Sequence, residues 1–137
     1  MKMFLGEYQP NITEGSRVAL PKKLREQITS KDVVLIKGFE KCLFIYDKKD
    51  WLSESQKHLE KPITDAEARN LKRYLYASAS ESSIDEQGRI VISQNLKDYA
   101  HLNKKIIIIG AGDHIEIWDL ENWNNFIEKI NQEICKQ

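Results

Sequence analysis

NITEGSRVAL at residues 11–20 and SIDEQGRIVI at residues 83–92 are two versions of one pattern. Each has an isoleucine, a glutamate and an arginine at matching positions, and an apolar run typical of a strand follows the arginine. A turn that occurs twice, closing on Arg17 and again on Arg89, predicts a repeated strand–turn–strand unit.

The two copies stay in register well beyond the arginines. Arg17 and Arg89 are 72 positions apart, and this offset aligns residues 11–59 with the second half of the chain without a gap. The apolar runs at 33–36 and 106–109 match within one residue. The sequence therefore predicts a tandem duplication. Identical residues at this offset are Leu24 and Leu96, Ile36 and Ile108, Gly38 and Gly110, Ile45 and Ile117, Asp47 and Asp119, and Trp51 and Trp123.

Length and composition predict a cytoplasmic protein of ordinary domain size. The 137 residues suit one domain or two very small ones. The formal net charge is zero, which lowers the expectation of nucleic-acid binding unless cations gather on one surface. The N-terminus turns polar too early for a signal peptide, and no apolar run approaches membrane-spanning length. Cys42 and Cys135 are expected to be reduced and unpaired.

Catalysis has little support in this sequence. The three histidines are scattered, and no paired metal-binding motif is present. No glycine-rich phosphate loop follows a predicted strand. We therefore expect no enzyme, no metal and no cofactor.

Helix signals occur between the repeats and at the end of each repeat. Thr64 and Glu67 have the spacing of a capping box at the start of an amphipathic linking helix. Asp47 and Asp119 are predicted N-caps of helices that follow the last strand of each repeat. The aromatic pairs predicted to pack across these helix starts are Tyr46 with Trp51 and Trp118 with Trp123.

Taken together, these motifs resemble the bacterial MraZ family of transcriptional regulators, whose chains contain two SpoVT–AbrB-type repeats. The resemblance implies an α+β fold in which two tandem AbrB-like, swapped-hairpin repeats form a small β-barrel pseudo-dimer with peripheral helices. The parts expected are repeat 1 at 7–54, a connecting helix at 62–78, repeat 2 at 79–122 and a C-terminal amphipathic helix at 120–135. The segments that carry the resemblance are MFLGEY, LPKKLRE, ARNLKRYLYASASE, DEQGRIVIS and EIWDLENW.

The resemblance implies a sequence-specific, DNA-binding regulator of transcription. MraZ-like proteins assemble into rings and bind short direct repeats ahead of cell-division and cell-wall genes, often including their own gene. We therefore expect double-stranded DNA and further copies of this chain as partners, no membrane, and a nucleoid-associated location. The residues expected to bind DNA are Arg17, Arg89, Lys22, Lys23 and Arg25.

The family motif Asp-x-x-x-Arg is intact in one copy only. Asp85 and Arg89 keep it, whereas a threonine replaces the aspartate in the first repeat and Ser16 stands where a glycine stands in the second. We expect the positive φ of the first turn to move to its glycine, one residue earlier. The residues expected to organise the two loops are Thr13, Gly15, Asp85 and Gly88.

Alternatives remain open at this stage. Arg17 and Arg89 could close their turns structurally, with Asp85 holding Arg89, and this role can coexist with DNA contact. The chain as a whole could be an AbrB-type antitoxin. It could also be a protein-interaction module that no longer binds DNA, which the altered first motif and the neutral charge favour.

Overall fold

The computed structural model describes residues 1–58, 60–103 and 105–136. Within these ranges short strands and helices alternate along the chain. The strands are β1 (Glu7–Tyr8), β2 (Ile12–Thr13), β3 (Arg17–Ala19), β4 (Asp32–Lys37), β5 (Leu43–Asp47), β6 (Ser80–Ser83), β7 (Arg89–Val91), β8 (Ile106–Gly110) and β9 (Ile115–Asp119). The helices are α1 (Lys22–Arg25), α2 (Lys48–His58), α3 (Ala66–Ala77), α4 (Gln94–Tyr99) and α5 (Leu120–Cys135).

These elements form an α+β fold with two antiparallel sheets in the described part of the chain. A larger sheet has the strand order β1-β8-β9-β5-β4-β6, and a smaller one has the order β2-β3-β7. Among the described helices, none combines the length and apolar character needed to cross a membrane.

Strands from the two repeats pair with each other at four places, two of which are β1 with β8 and β4 with β6. β3 runs antiparallel to β7 with Val18 opposite Ile90, and β5 runs antiparallel to β9 with Phe44 opposite Glu116. Both opposed pairs join residues 72 positions apart. A twofold axis brings equivalent residues together in this way, so the duplication is expressed as a pseudo-twofold axis through both pairs.

The prediction of a gapless repeat is wrong around β4 and β8. Val33 pairs with Asp47, and Ile106 pairs with Asp119. The two aspartates are 72 positions apart, but Val33 and Ile106 are 73 apart. The second repeat therefore has one extra residue before β8 and a shorter hairpin after it. Because side chains alternate along a strand, only the 73-residue offset brings equivalent side chains to the same face. Because of this shift, two residue pairs that are identical at the 72-residue offset do not occupy equivalent positions in the structure, namely Ile36 with Ile108 and Gly38 with Gly110.

The main core lies between the inner faces of the two sheets. Val18 and Ile90, on the pseudo-twofold axis, have no exposed surface, and burial of such a side chain contributes about 1.5–3 kcal/mol. Leu24 of α1 and Leu96 of α4 close the same core. Other buried aliphatic residues of this core are Leu20, Ile28, Val33, Leu35, Leu43, Ile45, Ile92, Leu102, Ile106, Ile108, Ile115 and Ile117.

Helices cover the outer face of the larger sheet. α2 and α5 follow β5 and β9 at equivalent positions, and each starts with an aromatic contact. The ring centroids of Tyr46 and Trp51 are 5.3 Å apart, and those of Trp118 and Trp123 are also 5.3 Å apart. The predicted packing across the helix starts is therefore confirmed.

The linking helix α3 starts with a different cap from the predicted one. Asp65 is the N-cap, and its Oδ1 accepts the Ala68 N–H at 3.1 Å. The predicted capping box of Thr64 and Glu67 is therefore wrong. Aspartate caps helices as well as threonine does, and its negative charge also interacts favourably with the helix N-terminus.

Neither cysteine is paired, as predicted. Cys42 is buried beside the β4–β5 hairpin, whereas Cys135 is exposed on α5. Burial, and then the nearby Glu116 carboxylate, raise the pKa of the Cys42 thiol. Because the thiolate is the reactive form, Cys42 is a packing residue.

Asp47 joins three segments at the start of α2. Its fully buried side chain accepts hydrogen bonds from Lys2 Nζ at 2.9 Å, Thr29 N at 2.8 Å, Ser30 Oγ at 2.5 Å and Lys49 N at 3.1 Å. Burial alone would raise the pKa of Asp47, but these hydrogen bonds outweigh it and lower the pKa below the usual carboxyl value. The N-terminal segment, the loop before β4 and α2 are therefore held by one ionised carboxylate.

Asp47→Asn should lower the free energy of unfolding by about 3 kcal/mol, because Lys2 would lose its buried charged partner. Since folding lowers the pKa of Asp47, its contribution is present above the unfolded-state pKa and is lost as the pH falls below about 4. The variant should lack this part of the pH dependence. Urea unfolding measured from neutral to acid pH tests both expectations.

Asp119→Asn is the matched control. Asp119 is the counterpart N-cap and accepts the Asn122 N–H at 3.0 Å, as the sequence predicts. Asparagine caps helices as well as aspartate does, so this change should cost less than about 1 kcal/mol. Equal losses in the two variants would contradict the role assigned to Asp47.

Candidate functional site

The pairing of β3 with β7 places both predicted arginines on one outward surface. The middle residue of each strand is buried, so the first and third residues point away from the core. Arg17 lies opposite Val91, and Arg89 lies opposite Ala19. The two arginines are thus diagonal neighbours, whose α-carbons are typically roughly 7–8 Å apart. These four residues are called the ribbon face below.

Asp85 determines the conformation of the second turn. Its Oδ1 accepts the backbone N–H groups of Gln87 and Arg89, each at 2.9 Å, and its Oδ2 accepts Arg89 Nε at 2.9 Å. The Arg89 N–H, and then the Arg89 guanidinium, hold the pKa of Asp85 below its usual value. The ionised carboxylate therefore fixes the direction of an arginine side chain that remains about one-third exposed.

Arg17 in the first turn is held less firmly. Thr13 donates its hydroxyl to the Arg17 carbonyl oxygen at 3.2 Å, which fixes the backbone but not the guanidinium. The guanidinium itself makes a long contact of 3.5 Å with the Glu14 carbonyl oxygen. Arg17 is exposed and therefore freer to change rotamer than Arg89.

The glycines of the two turns adopt the left-handed conformation, with φ of +80° at Gly15 and +77° at Gly88. Ser16, at the position equivalent to Gly88, also has a positive φ of +57°. The expected move of the positive φ to Gly15 is therefore incomplete, because both residues of the first turn adopt it. A side chain in this region costs roughly 1–2 kcal/mol, so the first turn is the more strained of the two.

Each turn is contacted by a cation from the short helix of the other repeat. Lys97 on α4 donates to Ser16 Oγ at 2.9 Å. Arg25 on α1 donates to the Leu20 carbonyl oxygen at 3.0 Å. Its guanidinium lies against Gly88, in the space that a Cβ at this position would need. Lys97 is 72 positions from Arg25, and Gly88 is 72 positions from Ser16. The two contacts are therefore counterparts across the pseudo-twofold axis.

Backbone hydrogen bonds join the turns across the same axis. The Leu20 N–H donates to the Gly88 carbonyl oxygen at 2.9 Å, and the Ile92 N–H donates to the Ser16 carbonyl oxygen at 3.0 Å. Each bond runs from the end of a ribbon strand in one repeat to the turn of the other. Each turn is therefore held to the other repeat by a backbone hydrogen bond.

Cations and carboxylates alternate around the turns. Lys22 and Lys23 are exposed on α1, and Lys22 Nζ is 4.0 Å from Glu26 Oε1. Glu14 and Glu86 occupy equivalent positions in the two turns. The local charge is therefore mixed, and the specific placement of the guanidinium groups matters more here than a broad positive field.

The structure adds three residues to the predicted set. Ala19 and Val91 complete the ribbon face, where Val91 is 45% exposed, and Lys97 contacts the first turn. The two-residue period of a strand predicts Val91 once Arg89 is chosen. The 72-residue offset from Arg25 predicts Lys97.

The predicted DNA-binding and loop-organising residues lie around the β3–β7 pairing, in its strands, its two turns, the adjacent α1 or, for Thr13, the end of β2. In the described ranges, no three His, Cys, Asp or Glu side chains come together in an arrangement suited to a metal ion.

Comparison with known proteins gives a consistent result over the whole chain. The family model described as MraZ protein, antitoxin-like, matches residues 3–74 and again residues 75–137. The chain is 41% identical to the transcriptional regulator MraZ of Caldicellulosiruptor saccharolyticus, across 96% of each protein. It is 40% identical to the protein of the same name from Heliobacterium modesticaldum, across 93% of this chain and 88% of that protein. The corresponding protein of Lactobacillus helveticus is 40% identical, across 96% of this chain and 91% of its own length.

Gly88→Ala should destabilise the protein by more than a positive φ alone explains. The left-handed conformation costs alanine about 1–2 kcal/mol, and the added Cβ would also displace the Arg25 guanidinium. Gly112→Ala is the matched control, since Gly112 has φ of +87° but no atom within 4 Å of the added Cβ. Urea unfolding should therefore show the larger loss for Gly88→Ala.

Arg25→Ala tests the same contact from the other side. In the Gly88→Ala background it removes the displaced guanidinium, so the double variant should lose less stability than the two single changes added together. Equal losses for the two glycine variants, or simple additivity in the cycle, would contradict the contact between Arg25 and Gly88.

Proposed function

The chain belongs to the MraZ family of transcriptional regulators, and from this premise we propose that it binds double-stranded DNA with sequence preference through the ribbon face. The observation that carries the proposal is the position of Arg17 and Arg89 as diagonal neighbours on one outward surface of paired strands. A two-stranded ribbon fits the major groove of B-form DNA, where base edges are distinguishable. Two arginines on such a ribbon are suited to read two nearby base pairs.

The side chains of the ribbon face have the chemistry for base readout. A guanidinium donates two parallel hydrogen bonds to the O6 and N7 atoms of guanine. Arg89 uses Nε for Asp85, and its two terminal nitrogens are the atoms suited to the base edge. Val91, which lies opposite Arg17 and two residues from Arg89 on the same strand, offers an apolar surface to a thymine methyl group.

Asp85 supports this function as an organiser. A free carboxylate would repel phosphate, but the Asp85 carboxylate accepts hydrogen bonds from the Arg89 guanidinium and two backbone N–H groups, which offset its charge. An arginine whose rotamer is already fixed loses less conformational entropy when it binds. The structural ion pair and the DNA contact are therefore compatible roles for Arg89.

Lysines next to the ribbon face are suited to contact phosphates. Lys22 and Lys23 are exposed on α1, and contacts from such side chains position a protein on DNA without reading its sequence. The 21 Lys and Arg residues of the chain are matched by 21 Asp and Glu residues, so a single copy has no overall positive charge to attract DNA. Several linked copies would raise avidity by roughly 10²–10⁴ where the geometry allows simultaneous contact.

The proposal extends to assembly and to the target genes. We infer that the two repeats act as a swapped-hairpin pseudo-dimer with a barrel-like core, which the pairing of β3 with β7 and of β5 with β9 supports. Family resemblance supports a ring of such units on short direct repeats ahead of a cell-division and cell-wall gene cluster that includes its own gene. Binding there would place the protein at the nucleoid.

Arg89→Ala should weaken binding to an operator fragment more than Arg17→Ala does, because Arg89 is held ready by Asp85 and Arg17 is not. Loss of a bidentate hydrogen bond to a base is worth about 1–3 kcal/mol per site. Thr13→Asp should place a carboxylate beside Arg17, as Asp85 lies beside Arg89, and leave binding equal or tighter. Fluorescence titration of the DNA upstream of its own gene, with melting temperatures alongside, measures all three variants.

The double change of Lys22 and Lys23 to Ala is the control for binding to phosphates. It should weaken binding to all sequences alike and flatten the dependence of log affinity on log salt, by about 0.9 for each phosphate that the lysines no longer neutralise. If Arg89→Ala binds normally, or fails only because it melts, the arginine is a structural residue. If the wild-type protein shifts no DNA, the interaction-module alternative is favoured instead.

A second prediction of this proposal is a large homo-oligomer. Apolar side chains remain exposed on the outer helices, namely Leu52 on α2, Tyr76 on α3 and Ile134 on α5, and burial between copies would remove them from water. Multi-angle light scattering at micromolar concentration should give a mass of several chains. A single monomer peak under these conditions would contradict the ring.

A further inference from the structure

The outer face of the larger sheet has two counterpart halves. In the half formed by the second repeat, Ile107 and Ile109 are covered by a cluster of aromatic side chains. Phe126 of α5 lies within this cluster, and its ring centroid is 4.9 Å from that of Trp118. Phe126 and its neighbour Ile127 thus fill the space between α5 and the sheet.

The half formed by the first repeat keeps the aromatic pair at the start of its helix but lacks these filling side chains. Glu54 stands at the position of Phe126, and Ser55 stands at the position of Ile127, each at the 72-residue offset. Two leucines of α3 form the opposite wall. A cavity of about 280 Å³ remains between α2, α3 and the turn at 111–114. The space between helix and sheet is therefore filled in the half formed by the second repeat, whereas the half formed by the first repeat contains a cavity.

A partly buried carboxylate, that of Glu54, lies in the lining of this largely apolar cavity. The side chain of Glu54 is only 16% exposed, and its Oε1 lies 3.2 Å from Nζ of Lys57, a residue that is itself 66% exposed. Lys57 reaches the carboxylate from the solvent side and does not line the cavity. The aromatic residues of the lining are Phe39, Phe44, Tyr46 and Trp51.

His114, which also lines the cavity, does not offset this charge. Its Nδ1 is 2.7 Å from Asp113 Oδ1, and its Nε2 is 2.8 Å from Glu116 Oε2. Burial would lower the pKa of His114, but the hydrogen bonds to Glu116 and Asp113 outweigh burial and raise it. The two carboxylates outnumber a protonated His114, so His114 does not neutralise Glu54, whose ion-pair partner is the exposed Lys57. Together these five side chains have one more negative than positive charge.

We propose that this cavity binds a small aromatic amine, with the ring between the aromatic and leucine side chains and the ammonium group on Glu54 in place of Lys57. Aromatic ring faces attract a cation. The ion pair that must be replaced includes an exposed lysine and contributes little. The cavity is near the lower limit of ligand pockets, about 300–1,000 Å³, and so suits a one-ring compound. The inference is independent of DNA binding.

Isothermal titration calorimetry with three one-ring probes tests the proposal on the full chain. Phenethylamine should bind saturably. The alcohol 2-phenylethanol should bind at least about tenfold more weakly, because it cannot make the charged hydrogen bond to Glu54. The carboxylate of 3-phenylpropionate should bind more weakly still, because Glu54 repels it. Glu54→Gln should weaken phenethylamine about tenfold and leave 2-phenylethanol unchanged. The double variant E54F/S55I gives the first half the filling residues of the second and should bind none of the probes.

Two comparisons separate the proposal from simpler explanations. Glu128→Gln removes an exposed carboxylate of α5 and should leave all three affinities unchanged, and E54F/S55I should melt no lower than the wild type because it fills a cavity. Equal affinity for the amine and the alcohol, unchanged binding to Glu54→Gln, or no saturable heat with phenethylamine would each overturn the proposal. If E54F/S55I does not fold, Glu54→Gln alone decides the outcome.

Discussion

Val18 and Ile90 meet at the centre of a three-residue antiparallel pairing that also joins the two halves of the chain. Both side chains are fully buried, and the backbone hydrogen bonds from Leu20 to Gly88 and from Ile92 to Ser16 extend the pairing at its two ends. The core, the position of the two turns and the direction of the arginines all depend on this contact. A shift of one residue in its register would turn Val18 outward and an arginine into the core.

The two repeats have diverged most where symmetry is not needed for folding. The second turn has an ionised aspartate that holds its arginine, whereas the first has a threonine that bonds only to the backbone. Asp47 is a buried junction of three segments, whereas its counterpart Asp119 is an N-cap. The shared backbone pairing tolerates these differences because they lie outside the residues that pair across the axis.

A neutral chain can serve as a regulator of transcription if the placement of charge matters more than its total. Around the turns, Arg89 and Lys22 have carboxylate neighbours, and some of the cations are directed by a specific partner. Lys97 is directed by Ser16 at 2.9 Å, and Arg89 by Asp85 at 2.9 Å. Such arrangements favour specific contacts over general attraction to polyanions, in keeping with the proposed assembly of several copies on one operator.

The sequence by itself determined the duplication, the turns and the helix starts marked by aromatic pairs, because identical residues at a fixed offset and local capping patterns are properties of short segments. It also identified the family and the two arginines. Only the tertiary structure decided the 73-residue offset of β4 and β8, the Asp65 cap, and the contacts of Arg25 and Lys97 with the opposite turns. It also decided that Ala19 and Val91 share a surface with the arginines and that a cavity stands where Phe126 fills the other half. These features depend on strand register and on packing between residues far apart in the chain. A local sequence pattern predicts neither of them.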